Sequence, residues 1–178
     1  MKKLFFEVGH TKGKDPGAMA FGTTEHVEVT RLVARCCEEL ASLGVQAECI
    51  PVHLLLHEKI AWINRKAVPE DVLVSVHMNS GKSSARGLEV YYYGGSSESL
   101  HAGARLQKAL SLETMLSNRG LKPDTQTRHG RLGIIRDTKP WAFLLEFGFL
   151  TSQEDLEYVR TKGGGDLARA LFAWLSSW

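Results

Sequence analysis

The sequence lacks an apolar run long enough to cross a membrane, which takes roughly 20 residues. Its N-terminus, MKKLFFEVGH, offers only a short run interrupted by Glu7. That run has no small-residue cleavage site, so it reads as a first strand rather than an export signal. Cysteine is scarce: Cys36, Cys37 and Cys49 form an odd set whose spacing matches neither a zinc ribbon nor a CxxC pair. Neighbours on a helix project about 100° apart, which leaves Cys36 and Cys37 badly placed to bridge. Three small buried hydrophobes with free thiols are expected, in a reducing compartment. An excess of one charge is also missing. With 24% charged residues and a net charge of +2, neither a disordered chain nor a basic nucleic-acid surface is expected. There is no GxSxG elbow, no GxxxxGK(S/T) phosphate loop and no HExxH. No repeat or linker divides the chain, and 43% hydrophobic content over 178 residues suits one domain, 1–178.

What is present is alternation of strand and helix patterns. LFFEVG (4–9) predicts a strand, and residues 24–43 predict an amphipathic helix with apolar Val29, Leu32, Val33, Cys36, Leu40 and Leu43. Thr23 or Thr24 caps its start and Gly44 stops it. Strands are expected at 45–52, 72–78, 87–94 and 141–147, and helices at 53–67 and 97–117. VLVSVHM (72–78) is almost wholly apolar, as a central strand should be. Residues 120–140 read as loop with a short strand at 132–135. Thr151 and Glu154 have capping-box spacing, and Gly163, Gly164 and Gly165 break the chain before a last helix. The pattern predicts a single α/β domain, a twisted, mostly parallel open sheet flanked by helices on both faces.

In such sheets ligands bind beyond the carboxyl ends of the strands. There the first strand delivers His10, VLVSVHM delivers His77 followed by Asn79, and WAFLLEF delivers Glu146. Glu25 stands in the first turn of the first helix, on the same edge. Singly, a strand-end histidine is an ordinary polar residue, and Glu25 suits the helix dipole. Glu146 differs, because a carboxylate inside FLLEFGFL must be desolvated, and such groups are paired, protonated or functional. A catalytic zinc takes three ligands from His, Glu, Asp or Cys, and a second carboxylate can then move the proton. His10, Glu25 and His77 with Glu146 make a complete inventory for metal-assisted amide hydrolysis. His53 and His57 also have a metal spacing, but they lie among Leu54, Leu55 and Leu56 and are expected to pack or point to solvent. Cys36 and Cys37 lie mid-helix and make poor nucleophiles. Tyr91, Tyr92 and Tyr93 read as cross-strand packing.

Four blocks in order resemble the zinc-dependent N-acetylmuramoyl-L-alanine amidases of bacterial cell walls and phage lysins: VGHTKGKDPGAMAFGTTE, SVHMNS (75–80), GLEVYYY (87–93) and IIRDTKPWAFLLEFGFLTSQED (134–155). The resemblance implies one zinc ion held by His10, Glu25 and His77, with Glu146 as catalytic base and acid. Asn79 and Arg136 are candidate substrate contacts. The implied reaction cleaves the amide between N-acetylmuramic acid and L-alanine in peptidoglycan. Departures from the family pattern are Thr11-Lys12 where glycines are usual, Glu7 for a common Asp, and Val52-His53 for a threonine-arginine pair. A monomeric phage or prophage endolysin is expected, synthesised in the cytoplasm without a signal peptide and acting on the wall after release. The alternatives are a zinc carboxypeptidase-like metallopeptidase, needing an arginine such as Arg136 or Arg128 for a substrate carboxylate, or an inactive wall-binding module.

Overall fold

The computed structural model describes residues 2–127 and 129–177. Its frame is a six-stranded sheet. β1 (Leu4–Val8) lies between β4 (Ala47–Cys49) and β5 (Val72–Asn79), and β8 (Trp141–Phe149) follows β5. β6 (Leu88–Tyr92) and β7 (Asn118–Pro123) complete the order β4-β1-β5-β8-β6-β7. Every pairing is parallel except β6 with β8. The sheet is therefore mixed but mostly parallel, as expected.

Strand side chains alternate between the two faces, and each face has its own cover. Leu4, Phe6, Val8, Val74, Val76, Val90, Phe143, Leu145 and Phe147 face three helices: α1 (Glu25–Ser42), α3 (Ser97–Glu113) and α6 (Gly164–Leu175). Trp174 anchors this layer. It meets Phe143 edge-on at 5.5 Å and donates from Nε1 to the Ala102 carbonyl at 3.1 Å, a contact of about 0.5–1.5 kcal/mol beyond its burial. On the other face Phe5, Leu73, Ala142, Leu144 and Tyr91 pack with Ile63 of α2 (Leu56–Lys66) and with Ile134 and Ile135 of α4 (Gly133–Arg136). Nearer the carboxyl ends of β1, β5 and β8, that same face carries Glu7, Ser75, His77 and Glu146 instead. The apolar pattern stops there and polar groups take over.

Local differences from the sequence reading have physical causes. Residues 132–135 do not form a strand: Ile134 and Ile135 lie in α4 and cover the sheet. The missed edge strand is β7, whose sequence NRGLKP has no apolar alternation because it is half solvated. The cap after β8 is Ser152, which accepts from the Asp155 amide at 3.2 Å, one residue beyond the expected Thr151. The three glycines do not break the chain. α5 (Gln153–Tyr158) runs through a wide turn, Val159–Gly163, into α6. There a side chain at Gly164 would meet Arg35 Cβ at 2.6 Å, so glycine serves close helix packing. A two-residue hairpin, β2 (Met19–Ala20) with β3 (Thr23–Thr24), also went unforeseen. Of the cysteines only Cys36 is buried; Cys37 is half-buried, Cys49 is exposed, and their sulfurs lie 3.8 Å apart.

A candidate metal centre beside a buried carboxylate

β1 ends at Val8, and His10 then turns the chain with φ of 67°, in the left-handed region that costs a non-glycine residue about 1–2 kcal/mol. The loop that follows holds this turn in place. The Thr11 amide donates to the Asp15 carbonyl at 3.0 Å, and the Lys12 amide to the Val52 carbonyl at 3.0 Å. Asp15 caps its own turn, accepting from the Gly17 amide at 3.0 Å, and offers its other oxygen to His10 Nδ1 at 2.8 Å. This fixes the imidazole plane and leaves Nε2 facing Glu25 Oε2 at 2.9 Å.

Glu25 opens α1, whose cap Thr24 accepts from the Val27 amide at 3.3 Å. Its two oxygens are used in parallel. Oε2 faces His10 and accepts from the Ala18 amide at 3.2 Å; Oε1 faces His77 Nδ1 at 2.9 Å and accepts from the Met78 amide at 3.2 Å. Ligand atoms of His10, Glu25 and His77 all lie within 4.8 Å of one another. Two glycines make room for this convergence. A Cβ on Gly9 would sit 2.6 Å from the His77 ring, and one on Gly17 would sit 2.5 Å from His10 and 2.7 Å from Glu25 Oε2.

The protonation energetics follow from this geometry. For Glu25, burial opposes ionisation, but hydrogen bonds from His10 and His77 outweigh it and hold the carboxyl down to about 2. Burial likewise disfavours a charged His77, yet the Glu25 hydrogen bond and the nearby Glu7 and Glu146 charges raise it to about 9. His10 is also raised: burial works against it, and the bonds to Glu25 and Asp15 prevail. The contacts of Glu25 with His10 and His77 use the same atoms that a cation would take.

Glu146 stands next to His77 across β5 and β8, and next to Glu89 across β8 and β6, so the three point to one side of the sheet. Glu89 is buried and satisfied, accepting from Tyr91 at 2.8 Å and Arg119 at 2.5 Å, with Lys122 at 3.0 Å. Glu146 is not. Its Oε2 is buried with no hydrogen-bond partner among the described residues. Burial raises its pKa to about 7; the His77 cation opposes that shift, while Glu25 and Glu89 reinforce it.

Other expected contributors fall elsewhere. Asn79 follows a bulge in β5, is half-buried, and accepts from the Ser80 amide at 2.8 Å. Arg136 is committed to Asp124 through a two-point fork at 2.5 and 3.1 Å, and its guanidinium lies 5.1 Å from the Tyr93 ring. Arg128 lies outside the described residues. His53 and His57 are both exposed, and α2 begins after His53, so the helical four-residue spacing is not realised. The sequence reading missed Asp15, Glu7 and Lys59. One signal was available: Lys59 sits four residues before the buried Ile63 on the inner face of α2, where an apolar residue is expected.

Fold and site together define an α/β domain that brings two histidines and a glutamate close enough that they could hold a cation, beside a carboxylate kept out of water. Residues 5–173 match the family described as N-acetylmuramoyl-L-alanine amidase, and the chain belongs to that family. It is thus a peptidoglycan hydrolase of the amidase type. It is 29% identical over 163 residues to the uncharacterized protein YqiI of Bacillus subtilis, covering 88% of this chain and 74% of that one. It is 26% identical over 155 residues to the probable cell wall amidase LytH of Staphylococcus epidermidis, covering 86% of this chain but only 50% of LytH. An N-acetylmuramoyl-L-alanine amidase from Clostridium difficile 630 superposes with a TM-score of 0.85 at 21% identity, covering 99% of this chain and 95% of that one. At that identity the likeness speaks for the fold. No helix among the described residues is long and apolar enough to cross a membrane.

Proposed function

We propose that the domain hydrolyses the amide between the lactyl group of N-acetylmuramic acid and L-alanine with one zinc ion held by His10, Glu25 and His77. The observation that carries this is the convergence of two imidazole nitrogens and a carboxylate within 4.8 Å. Two nitrogens and one carboxylate are a donor set of catalytic zinc sites, and Asp15 on the far nitrogen of His10 is the outer partner such ligands have. When bound, the ion lowers the pKa of water towards ~7 and polarises the amide carbonyl.

The protein's own part falls to Glu146. Its unpartnered Oε2 accepts the proton of the attacking water and returns it to the alanine nitrogen as the C–N bond breaks. A carboxyl poised at about 7 can both take and release a proton near neutrality. Asn79, at the end of the strand that carries His77, would hydrogen-bond the stem peptide. A monomer is part of the same reading, and light scattering of the purified protein tests it. The finer biological setting, a phage or prophage endolysin, belongs to this proposal, and lysis on co-expression with a membrane-permeabilising protein tests it. A carboxypeptidase reading is weakened because Arg136, one of its two candidate anchors, is taken by Asp124. Elemental analysis with an activity assay tests the proposal. One zinc per chain in both wild type and Glu146→Gln, with activity lost in the variant, supports it. Zinc-free active protein would sink it.

A further inference from the structure

Beneath the candidate metal centre lies a buried ion pair that the reaction does not use. The Lys59 and Glu7 side chains are only 3% and 4% exposed. Lys59 projects from α2 and spends its three donors on the Glu7 carboxylate, the Val8 carbonyl at 2.8 Å and the His10 carbonyl. The ammonium thus takes up the carbonyl of Val8, the last residue of β1, and that of His10 just beyond the strand. His10 is the residue in the left-handed turn. Such conformations persist only where the surroundings over-determine them. The other Glu7 oxygen accepts from Ser75 at 2.5 Å and lies 3.8 Å from His77 Nε2, the nitrogen that faces away from Glu25.

We propose that Lys59 is the positioning residue for both imidazoles of the cage, fixing His10 through its main-chain carbonyl and His77 through Glu7. A buried pair far from the ligands would merely support the fold. This one touches the backbone of one ligand and the outer nitrogen side of the other, so its loss should loosen the cage before it unfolds the domain.

The test uses Lys59→Met and the double variant Lys59→Met/Glu7→Gln. The double variant matters because removing both charges leaves no lone buried ion. Crystal structures of the metal-free proteins report the cage directly. Zinc affinity is measured by chelator competition, and the visible spectrum of the cobalt-loaded protein reports ligand geometry. In both variants His10 should leave the positive-φ region and its 2.9 Å approach to Glu25 should open. Zinc affinity should fall ~10–100-fold, the range for loss of an outer-shell partner, and the cobalt bands should shift. A double variant that keeps the His10 turn, the Glu25 approach and wild-type zinc affinity overturns the assignment. The affinity arm rests on the zinc reading. If wild type takes up no zinc, that reading fails, while the metal-free crystal structures still decide the role of Lys59.

Discussion

At the residue scale the proposed function rests on how differently two glutamates are treated. Glu25 accepts four donors and is held ionised at about 2; Glu146 has a buried, unpartnered oxygen and is pushed to about 7. One suits a ligand and the other a proton carrier. Glu146→Gln keeps the shape and removes the proton chemistry. Amide cleavage should fall by about 10²–10⁴-fold, with zinc content unchanged. Steady-state kinetics beside metal analysis checks both halves; a variant with wild-type turnover contradicts the role. Gly17→Ala should act oppositely, on the cage, because φ is +70° there and the added Cβ lands on His10 and Glu25. Zinc affinity should drop at least tenfold by chelator competition, as it does for lost outer-shell support; unchanged affinity would show that the loop gives way. Of the candidate site, His10 was legible just past β1 and Glu25 at the start of α1, where local pattern fixes position, and His77 and Glu146 as polar residues within the last part of the apolar strands β5 and β8. Asp15 and Lys59 were not, since their partners depend on a left-handed turn and on how α2 docks, and neither leaves a periodic trace.

At the scale of elements, the alternation of strands and helices was readable wherever one face is dry. β5 and β8, apolar on both faces for most of their length, stood out. The half-solvated edge strand β7 and the short α4 did not, and α4 with most of β7 lies in the segment read as loop. Their joint is Arg136 of α4 on Asp124, a fully buried carboxylate that also accepts from the Gly94 and Leu132 amides at 3.2 and 3.3 Å. That makes Arg136 a tie between elements, whatever it adds to substrate binding. Arg136→Ala leaves the buried Asp124 carboxylate without its cation, so the variant should be less stable than wild type. Its melting temperature should fall measurably, with KM little changed. Calorimetry decides: a small thermal loss with a large rise in KM would return Arg136 to the substrate.

At the scale of the whole molecule, stability, pH and metal are linked through the same atoms. In the metal-free protein Glu25 is depressed from 4.5 to about 2, so its contribution is present above pH 4.5 and lost as pH falls towards 2. His77 is raised from 6.5 to about 9; its contribution is full below 6.5 and disappears as pH rises through 9. Glu146 is raised from 4.5 to about 7, so it weakens the fold as pH climbs across that interval. All three place the metal-free optimum near the acidic side of neutrality. A cation competes with protons for the cage, so its stabilisation grows with pH. The melting-temperature difference between zinc-loaded and chelator-treated protein should widen from pH 6 to pH 9, as thermal denaturation across that range can show; a constant gap would mean that the metal sits elsewhere. Digestion of purified peptidoglycan with zinc-loaded protein, followed by identification of the new chain ends, decides whether the domain cleaves this amide. New N-terminal L-alanine should appear without new reducing sugar, and both chelation and Glu146→Gln should abolish it. New reducing ends without alanine, or alanine release that survives Glu146→Gln, would contradict the proposed reaction.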